Sequence, residues 1–284
     1  MMGTLQLPAP TWFVGSGNMG GAMLDGWRLG GIDLAPVTVI RPSGKAVDGA
    51  RVVTSAGAAG PPPRMVVLAF KPQKLDEIAP ELRQRLSART LVVSILAGVE
   101  VASLRQRFPG VGAIVRAMPN LPVAVRRGVT GLYSDGADDA LREELGNLFA
   151  ALGFAMWMTD EARLAALGSV AGAGPAYVAR FIEALAKAGV QRGLSDDIAA
   201  TIARETVLGT AWMAATTGED MESIARRVAS PKGTTEAGLA VLDGDDRVLD
   251  RLIQVAIDAA ARRSREIAEE AKAGAPLAEA TRLH

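Results

Sequence analysis

The first half of the chain alternates short apolar runs, rich in β-branched residues, with longer segments whose apolar residues recur at helical spacing. Short apolar runs are typical of strands that are buried on both faces, and helical spacing is typical of helices that pack by one side. The predicted strands cover residues 11–14, 37–40, 65–70, 91–95 and 113–116. The predicted helices between them cover residues 18–29, 75–86 and 101–108. This alternation predicts an α/β fold with βαβ units around a doubly wound parallel sheet.

Two further features bear on this sheet. Beyond Tyr133, a helix at residues 138–152 and a strand at residues 155–158 are predicted to close it. Three consecutive prolines stand at residues 61–63. Because proline fixes φ and lacks a backbone N–H, the element ahead of them is predicted to be short or irregular.

From Thr159 onward the pattern indicates helices only. We therefore predict a domain boundary near residue 160, with a sheet-containing domain at residues 1–159 and an all-helical domain at residues 160–284. Thr159 is followed by two acidic residues, so it is the predicted N-cap of the first helix of the second domain.

Three long helices are predicted in the second domain. They cover residues 175–193, 195–217 and 246–272, and the last is expected to end near Gly274. The first two are rich in alanine and carry large apolar residues on more than one face. A helix that is apolar on nearly every side must be buried. The pattern therefore predicts that a second subunit covers these helices in a homo-oligomer.

Charge and composition exclude several classes of function. The 31 basic and 31 acidic residues cancel without a long basic block, so no nucleic-acid partner is expected. The absence of cysteine rules out disulfides, thiolate metal sites and cysteine nucleophiles. The single histidine is His284, which excludes Ser-His-Asp hydrolases and nearly all zinc enzymes. No metal is expected. Residues 1–10 do not resemble a signal peptide, and no apolar run reaches the ~18 residues of a membrane span, so a cytoplasmic protein is expected.

The most informative motif is a glycine-rich turn between the first predicted strand and the first predicted helix. It reads Gly15, Ser16, Gly17, Asn18, Met19, Gly20. Gly15 allows a tight turn, Gly17 lets the backbone approach a pyrophosphate, and Gly20 lets helix and strand pack closely. Backbone N–H groups at the helix start can then bind the phosphates. The motif favours a dinucleotide cofactor, although an ordinary glycine-rich turn has the same sequence.

The end of the second predicted strand bears on which dinucleotide binds. An NAD-binding domain usually has an acidic residue here, which binds the ribose 2′-hydroxyl. This chain has Arg41 instead, followed by Ser43. A guanidinium suits a 2′-phosphate better than a free hydroxyl, so NADPH is the predicted cofactor, with NADH as an alternative. The structural alternative is a solvated surface arginine.

Other predicted cofactor residues follow the next strands. Parallel sheets bind ligands at the carboxyl ends of their strands. The segments with Ala69, Lys71 and Pro72, and with Ala97, are therefore expected to border the nicotinamide. Residues 116–122 are too rigid and polar for the middle of a strand, and they predict a loop that is either structural or lines the cofactor through Asn120.

A second motif lies in the helical part. Residues 230–235 read Ser-Pro-Lys-Gly-Thr-Thr and come directly before a helical run. Backbone N–H groups and hydroxyls can converge there on a carboxylate, as in an anion site, or they can simply cap the helix.

Taken together, these segments resemble the pyrroline-5-carboxylate reductase family. The resemblance rests on the turn at residues 15–20 and on residues 69–72, 118–120, 172–177 and 230–239. It implies a Rossmann-type domain followed by an all-α dimerisation domain. The implied activity is NAD(P)H-dependent reduction of a cyclic imine to proline. The implied assembly is a dimer or a ring of dimers, with each active site shared between one subunit and its partner.

The resemblance also implies residue roles. Ser230, Gly233 and Thr234 are expected to bind the substrate carboxylate, and Thr235 is expected to contact the ring nitrogen as the catalytic residue. A protonated imine is already electrophilic, so a site poor in histidine is compatible with this reaction. Three residues depart from the family pattern: Ala171, Ala173 and Lys232. An asparagine that often helps to hold the adenosine phosphate in the family is also absent from residues 55–57.

Two alternatives remain open at this point. A β-hydroxyacid dehydrogenase would use a lysine with an asparagine four residues on, but Lys187 is followed at that spacing by Gln191. A non-catalytic NADP-binding relative of the reductase is the second alternative, suggested by the three departures.

Overall fold

The structure describes residues 5–244 and 246–273, and in this computed structural model they form one sheet of eight strands. The strands are β1 (Thr11–Val14), β2 (Val37–Ile40), β3 (Arg51–Val53), β4 (Met65–Leu68), β5 (Leu91–Ser94), β6 (Ala113–Pro119), β7 (Gly128–Tyr133) and β8 (Gly153–Trp157). Their order is β3-β2-β1-β4-β5-β6-β7-β8. The first six are parallel, β7 runs antiparallel to β6, and β8 runs parallel to β7.

Ten α-helices lie between and after the strands of the described chain. They are α1 (Asn18–Leu29), α2 (Leu75–Arg83), α3 (Val101–Arg107), α4 (Asp139–Ala150), α5 (Glu161–Leu167), α6 (Gly174–Gln191), α7 (Asp196–Thr217), α8 (Met221–Val228), α9 (Thr234–Asp243) and α10 (Val248–Ala273). Only a single short turn, Ala56–Ala58, precedes the three prolines, as predicted. The predicted end of the last helix at Gly274 and the lone histidine, His284, lie outside the described residues.

The sheet is covered on both faces, which confirms the doubly wound architecture. Side chains alternate across β1, so Phe13 packs with α1 and α4 while Trp12 packs with α2 and α3. On the first face the rings of Trp27 and Phe149 meet edge to face, with centroids 5.8 Å apart. Burial of these two apolar layers holds the carboxyl ends of the strands in fixed positions.

The predicted loop at residues 116–122 is wrong in its first part, because β6 continues to Pro119. Arg116 lies within this strand and is only 5% exposed. Its guanidinium forms an ion pair with Glu161 at the start of α5. The other carboxylate oxygen of Glu161 accepts the Val101 N–H at the start of α3, at 2.8 Å. A charged residue is tolerated inside the strand because a carboxylate distant in sequence neutralises it.

The N-cap prediction is also wrong by one residue. Asp160, not Thr159, caps α5, and its carboxylate accepts the Arg163 N–H at 2.8 Å. The Thr159 hydroxyl instead donates to Asp160.

Two strands, β3 and β7, were not predicted, because neither has a continuous apolar run in the sequence. The first, β3, has only three residues and includes Arg51. The second, β7, contains glycines where neighbours approach closely: a Cβ at Gly128 would overlap the Val123 side chain, and one at Gly131 would lie 2.9 Å from Leu164. Because close contacts require glycine at these positions of β7, the strand lacks the continuous apolar run from which it could have been predicted.

The chain divides into two compact units. The first runs through Ala173 and resumes at Ala260, and the second is Gly174–Ala259. The predicted boundary at residue 160 falls where the last strand gives way to helices, and the domain assignment stays a prediction. No helix within the described part of the chain is both long and apolar enough to cross a membrane.

In the second unit, α6 and α7 pack together and leave large apolar side chains in contact with solvent. The pair is tight, since a Cβ at Gly189 would lie 3.3 Å from the Ala199 side chain. The exposed apolar side chains on these two helices include Val178, Phe181, Leu185, Ile198, Ile202, Leu208 and Trp212. This is an unusually large apolar surface, as predicted for helices that a partner covers.

Candidate active site

The glycine-rich turn lies where three strands end side by side. The Gly15 N–H donates to the Ile40 carbonyl at 2.8 Å, and the Ala69 N–H donates to the Val14 carbonyl at 2.8 Å. These bonds join the carboxyl ends of β1, β2 and β4. The turn is therefore at the crevice where open parallel sheets bind their ligands.

Two glycines of the turn are required by packing. Gly15 has φ +84°, and a Cβ there would lie 2.5 Å from the Ala69 carbonyl oxygen. A Cβ at Gly20 would lie 3.1 Å from the Ala69 Cβ. The steric roles predicted for these two glycines, a tight turn and close packing of helix on strand, are confirmed.

Gly17 is different, because a Cβ there would meet no atom within 4 Å. Gly17 is the N-cap of α1, and no side chain caps this helix end. The N–H groups of Asn18 and Met19 begin the first turn, where no carbonyl of the same helix can accept them. The protein's own packing thus leaves the side-chain position of Gly17, next to these donors, unfilled.

Arg41 follows β2 and is held in place by its backbone. Its N–H donates to the Val53 carbonyl at 2.9 Å, and its carbonyl accepts the Gly44 N–H at 3.1 Å. Its guanidinium has no ion-pair partner among residues 5–244 and 246–273. An anionic ligand at the end of β2 would therefore meet an uncompensated positive charge.

The loops after β4 and β5 lie beside the turn, because these strands follow β1 in the sheet. Lys71 is exposed and extended, and Pro72 begins a short turn. Ala97 is exposed. The next residue, Gly98, has φ +73°, and a Cβ there would lie 2.9 Å from the Ala268 backbone nitrogen of α10. The end of α10 therefore contacts the predicted nicotinamide loop directly.

Asn120 is buried at the end of β6, and its side chain already has partners within the protein. Its amide oxygen accepts the Val129 N–H at 2.7 Å, and its amide nitrogen donates to the Ala171 carbonyl at 3.0 Å. The side chain joins the end of β6 to β7 and to the turn after α5. Its role toward a cofactor stays a prediction.

The second motif forms a tight turn into α9. The Gly233 N–H donates to the Ser230 carbonyl at 2.9 Å, and a Cβ at Gly233 would overlap the Ser230 hydroxyl. Gly233 is the N-cap, so Thr234 and Thr235 lie inside the first turn and not before the helix. Two hydroxyls and the unpaired N–H groups of that turn are thus available to one anion.

The structure brings the predicted residues together in two groups. The cofactor residues lie at the carboxyl edge of the sheet in the first unit, where the Asn120 side chain is already bonded within the protein, and the residues of the Ser230 turn cluster in the second unit. Within the described residues, no group of three or more acidic or histidine side chains is arranged to hold a metal ion.

Comparison of the sequence with known proteins identifies the family to which this chain belongs. Residues 161–267 match a family model described as pyrroline-5-carboxylate reductase dimerisation. Residues 12–98 match a model described as NADP oxidoreductase, coenzyme F420-dependent. The pyrroline-5-carboxylate reductase of Pseudomonas aeruginosa is 35% identical over 268 residues, which is 91% of this chain and 96% of that protein. The chain belongs to the pyrroline-5-carboxylate reductase family.

Other relatives agree with this assignment. The enzyme of the same name from Synechocystis is 41% identical over 208 residues, 72% of this chain and 76% of that protein. The solved pyrroline-5-carboxylate reductase of Coxiella burnetii has a TM-score of 0.82 at 30% identity, covering 92% of this chain and 99% of that one. The Plasmodium falciparum pyrroline carboxylate reductase, solved with NADP bound, shares the fold with a TM-score of 0.82 at 24% identity, covering 92% and 98%.

Family membership confirms the resemblance that the motifs indicated, and it decides against the β-hydroxyacid dehydrogenase alternative. Lys187, the catalytic lysine of that alternative, is exposed and forms an ion pair with Glu183 at 2.6 Å. The match to a dimerisation model also indicates a homo-oligomer.

Proposed function

We propose that this chain reduces the C=N bond of 1-pyrroline-5-carboxylate to give L-proline, with NADPH as the hydride donor. The activity and the cofactor are those of the family, and the roles of individual residues are inferred from geometry. The observation that carries these roles is the pair of open helix starts, at Gly17 of α1 and at Gly233 of α9. Each offers backbone donors to an anion: a pyrophosphate at the first and a carboxylate at the second.

The residues present fit a dinucleotide phosphate. A pyrophosphate would bind against the first turn of α1 beside Gly17, where a Cβ would meet no atom within 4 Å, with Ser16, Asn18 and Met19 next to it in the chain. Arg41 is available for the 2′-phosphate. The segments with Ala69, Lys71 and Pro72, and with Ala97, would border the nicotinamide, which supplies the hydride when the cofactor is bound.

The turn at α9 would orient the substrate. Ser230, Gly233 and Thr234 would bind the carboxylate through hydroxyl and backbone donors. Thr235 would hydrogen-bond the ring nitrogen. A protonated imine needs no strong acid from the protein, so orientation and one hydrogen bond suffice. This agrees with a chain whose one histidine is its last residue.

The direct test is NADPH oxidation measured by absorbance with 1-pyrroline-5-carboxylate as the substrate. We expect turnover that requires both compounds and yields proline. A folded protein that binds NADPH but gives no turnover would support the non-catalytic alternative instead.

Cofactor preference should depend on Arg41. Replacing it in Arg41→Asp removes a charge-assisted bond to the 2′-phosphate, worth about 1.5–3 kcal/mol or roughly 10- to 100-fold in affinity. The variant is expected to prefer NADH over NADPH in kcat/KM. Arg89→Asp makes the same charge change at the amino end of β5 and should leave the preference unchanged. If the ratio of kcat/KM for NADPH to that for NADH is unchanged in Arg41→Asp, Arg41 is a solvated surface residue that does not bind the cofactor.

Substitutions of Thr235 and Ser230 should change different kinetic parameters. Thr235→Ala removes a hydrogen bond to the reacting centre, so we expect kcat to fall roughly 5- to 150-fold, for about 1–3 kcal/mol. Ser230→Ala should mainly raise the KM, because a carboxylate contact is about as strong in the ground state as in the transition state.

The conservative variant Thr235→Ser keeps the hydroxyl and should recover most of the turnover. NADPH affinity should stay unchanged in all three variants. Equal defects in Thr235→Ala and Ser230→Ala, or none, would reduce the Ser230 turn to a helix cap.

The apolar surface of α6 and α7 is proposed to be covered by a second copy, in a dimer or a ring of dimers. Side chains such as Phe181, Ile202 and Trp212 are each at least half exposed. Light scattering at micromolar concentration should give the mass of a dimer or of a multiple of it. A stable monomer would contradict this arrangement.

A further inference from the structure

Lys232 occupies an unusual position in the Ser230 turn. Its φ is 60°, in the left-handed region that favours glycine. Its side chain is exposed, and its ammonium forms no ion pair within the described part of the chain. Nothing in the packing of this turn therefore requires a lysine.

A negatively charged residue, Glu236, lies next to Lys232 in this turn. The carboxylate of Glu236 accepts the Lys232 N–H at 2.6 Å, which fixes a negative charge at the first turn of α9. A carboxylate there stabilises the helix start, but it repels any anion that approaches the same backbone donors. Within residues 230–236, Lys232 and Glu236 are the only charged residues. Without the lysine, the turn would carry a net negative charge.

The two arginines that precede the turn in the chain do not offset Glu236 in the same way. Arg226 and Arg227 of α8 form ion pairs with Glu222 and Glu219, at 3.4 and 3.0 Å. Their charges are thus already compensated. Lys232 is the cation of the turn itself.

We propose that Lys232 offsets the Glu236 charge and thereby raises the affinity of the Ser230 turn for a carboxylate-bearing substrate. This rests on the proposed function, because it assigns the substrate carboxylate to that turn. The lysine acts through its charge at the surface of the turn and takes no part in hydride transfer.

The test compares four variants by steady-state kinetics with 1-pyrroline-5-carboxylate. Lys232→Gly and Lys232→Asn remove the charge, and both residues tolerate a positive φ. Each should raise the KM about 3- to 10-fold, as expected for one partly screened charge near the ligand. The kcat and the KM for NADPH should change less than about two-fold. Lys232→Arg keeps the charge and should retain the KM. Lys232→Gly with Glu236→Gln removes both charges and should bring the KM back.

Added salt gives a second readout. Added salt should lower the KM of Lys232→Gly, because it screens the repulsion between Glu236 and the substrate carboxylate, and it should change the KM of the unchanged protein less. The thermal midpoint of Lys232→Gly should be equal or higher, since glycine accepts this φ without strain. A higher KM in a variant of undiminished stability would show that the loss of charge, and not damage to the fold, weakens substrate binding.

Arg247→Gly is the control for removing an exposed cation at a position with positive φ. Arg247 has φ 43° and pairs with Asp250 at 2.7 Å, and it follows the far end of α9, a helix of 10 residues. That places it about 15 Å along the helix axis from the Ser230 turn. The KM of Arg247→Gly for 1-pyrroline-5-carboxylate should stay unchanged.

Two results would overturn the proposal: an unchanged KM in Lys232→Gly and Lys232→Asn, or equal increases in these variants and in Arg247→Gly. If the unchanged protein gives no turnover, the proposed function fails on its own. Calorimetric titration of proline onto the same variants then still decides the role of Lys232: the proposal requires weaker binding in Lys232→Gly than in the unchanged protein, and equal binding overturns it.

Discussion

Gly17→Asp is expected to weaken NADPH binding severely while leaving the fold as stable as before, or more stable. A Cβ at this position meets no protein atom within 4 Å, and the extended backbone of Gly17 (φ −76°, ψ −163°) suits an aspartate N-cap. The new carboxylate would accept the first-turn N–H groups of α1 that the pyrophosphate needs. It would also place like charges close together, which costs about 4 kcal/mol at about 4 Å near a protein surface.

Calorimetric titration with NADPH should show a roughly 100- to 1000-fold weaker affinity, as that energy implies. Thermal unfolding should show an equal or higher midpoint. Gly110→Asp provides the matched control: a Cβ there also meets no atom within 4 Å, but the residue follows α3, away from the glycine-rich turn. Normal NADPH affinity in a folded Gly17→Asp protein would mean that the turn serves the fold alone.

Glu161→Ala is expected to lower the free energy of unfolding by about 2–4 kcal/mol, because it leaves the Arg116 guanidinium buried without its counter-charge. The arginine side chain is 6% exposed and that of Glu161 is 27% exposed. Water at the glutamate therefore keeps the loss below that of a fully buried pair. The variant also removes the acceptor of the Val101 N–H at the start of α3.

Urea unfolding followed by tryptophan fluorescence measures this loss. A Trp212→Phe background leaves only tryptophans of the first unit, at residues 12, 27 and 157. Asp135→Ala breaks a more exposed pair with Arg105, 38% and 47% exposed, and should cost less than about 1 kcal/mol. Arg116→Met combined with Glu161→Ala should recover part of the stability, since the unpaired charge is gone.

A spectroscopic readout accompanies this prediction. Burial raises the pKa of Tyr133, and the Glu161 carboxylate raises it further. Glu161→Ala should therefore lower the pKa of Tyr133 toward its usual value. An unchanged tyrosine titration in Glu161→Ala would contradict this electrostatic contact between Glu161 and Tyr133.

The amino-acid sequence by itself determined the elements whose signal is local. Four features follow from apolar runs and glycine spacing: β1, β2, α1 and the turn that joins β1 to α1. The apolar faces of α6 and α7 could likewise be read directly, because periodicity depends only on residues within a few turns. The two proposed anion sites rest on local signals for the same reason, since each needs a short run of glycine, serine or threonine at a helix start.

Only the tertiary structure decided the features that depend on residues distant in sequence. Arg116 belongs to a strand because Glu161, 45 residues later, neutralises it. The glycines of β7 conceal a strand because helices pack against them, and the amide of Asn120 is used by partners at Val129 and Ala171. A local pattern records how a segment can bury its own apolar face. It does not record which distant partner will satisfy a charge or an amide, since that depends on the folded chain.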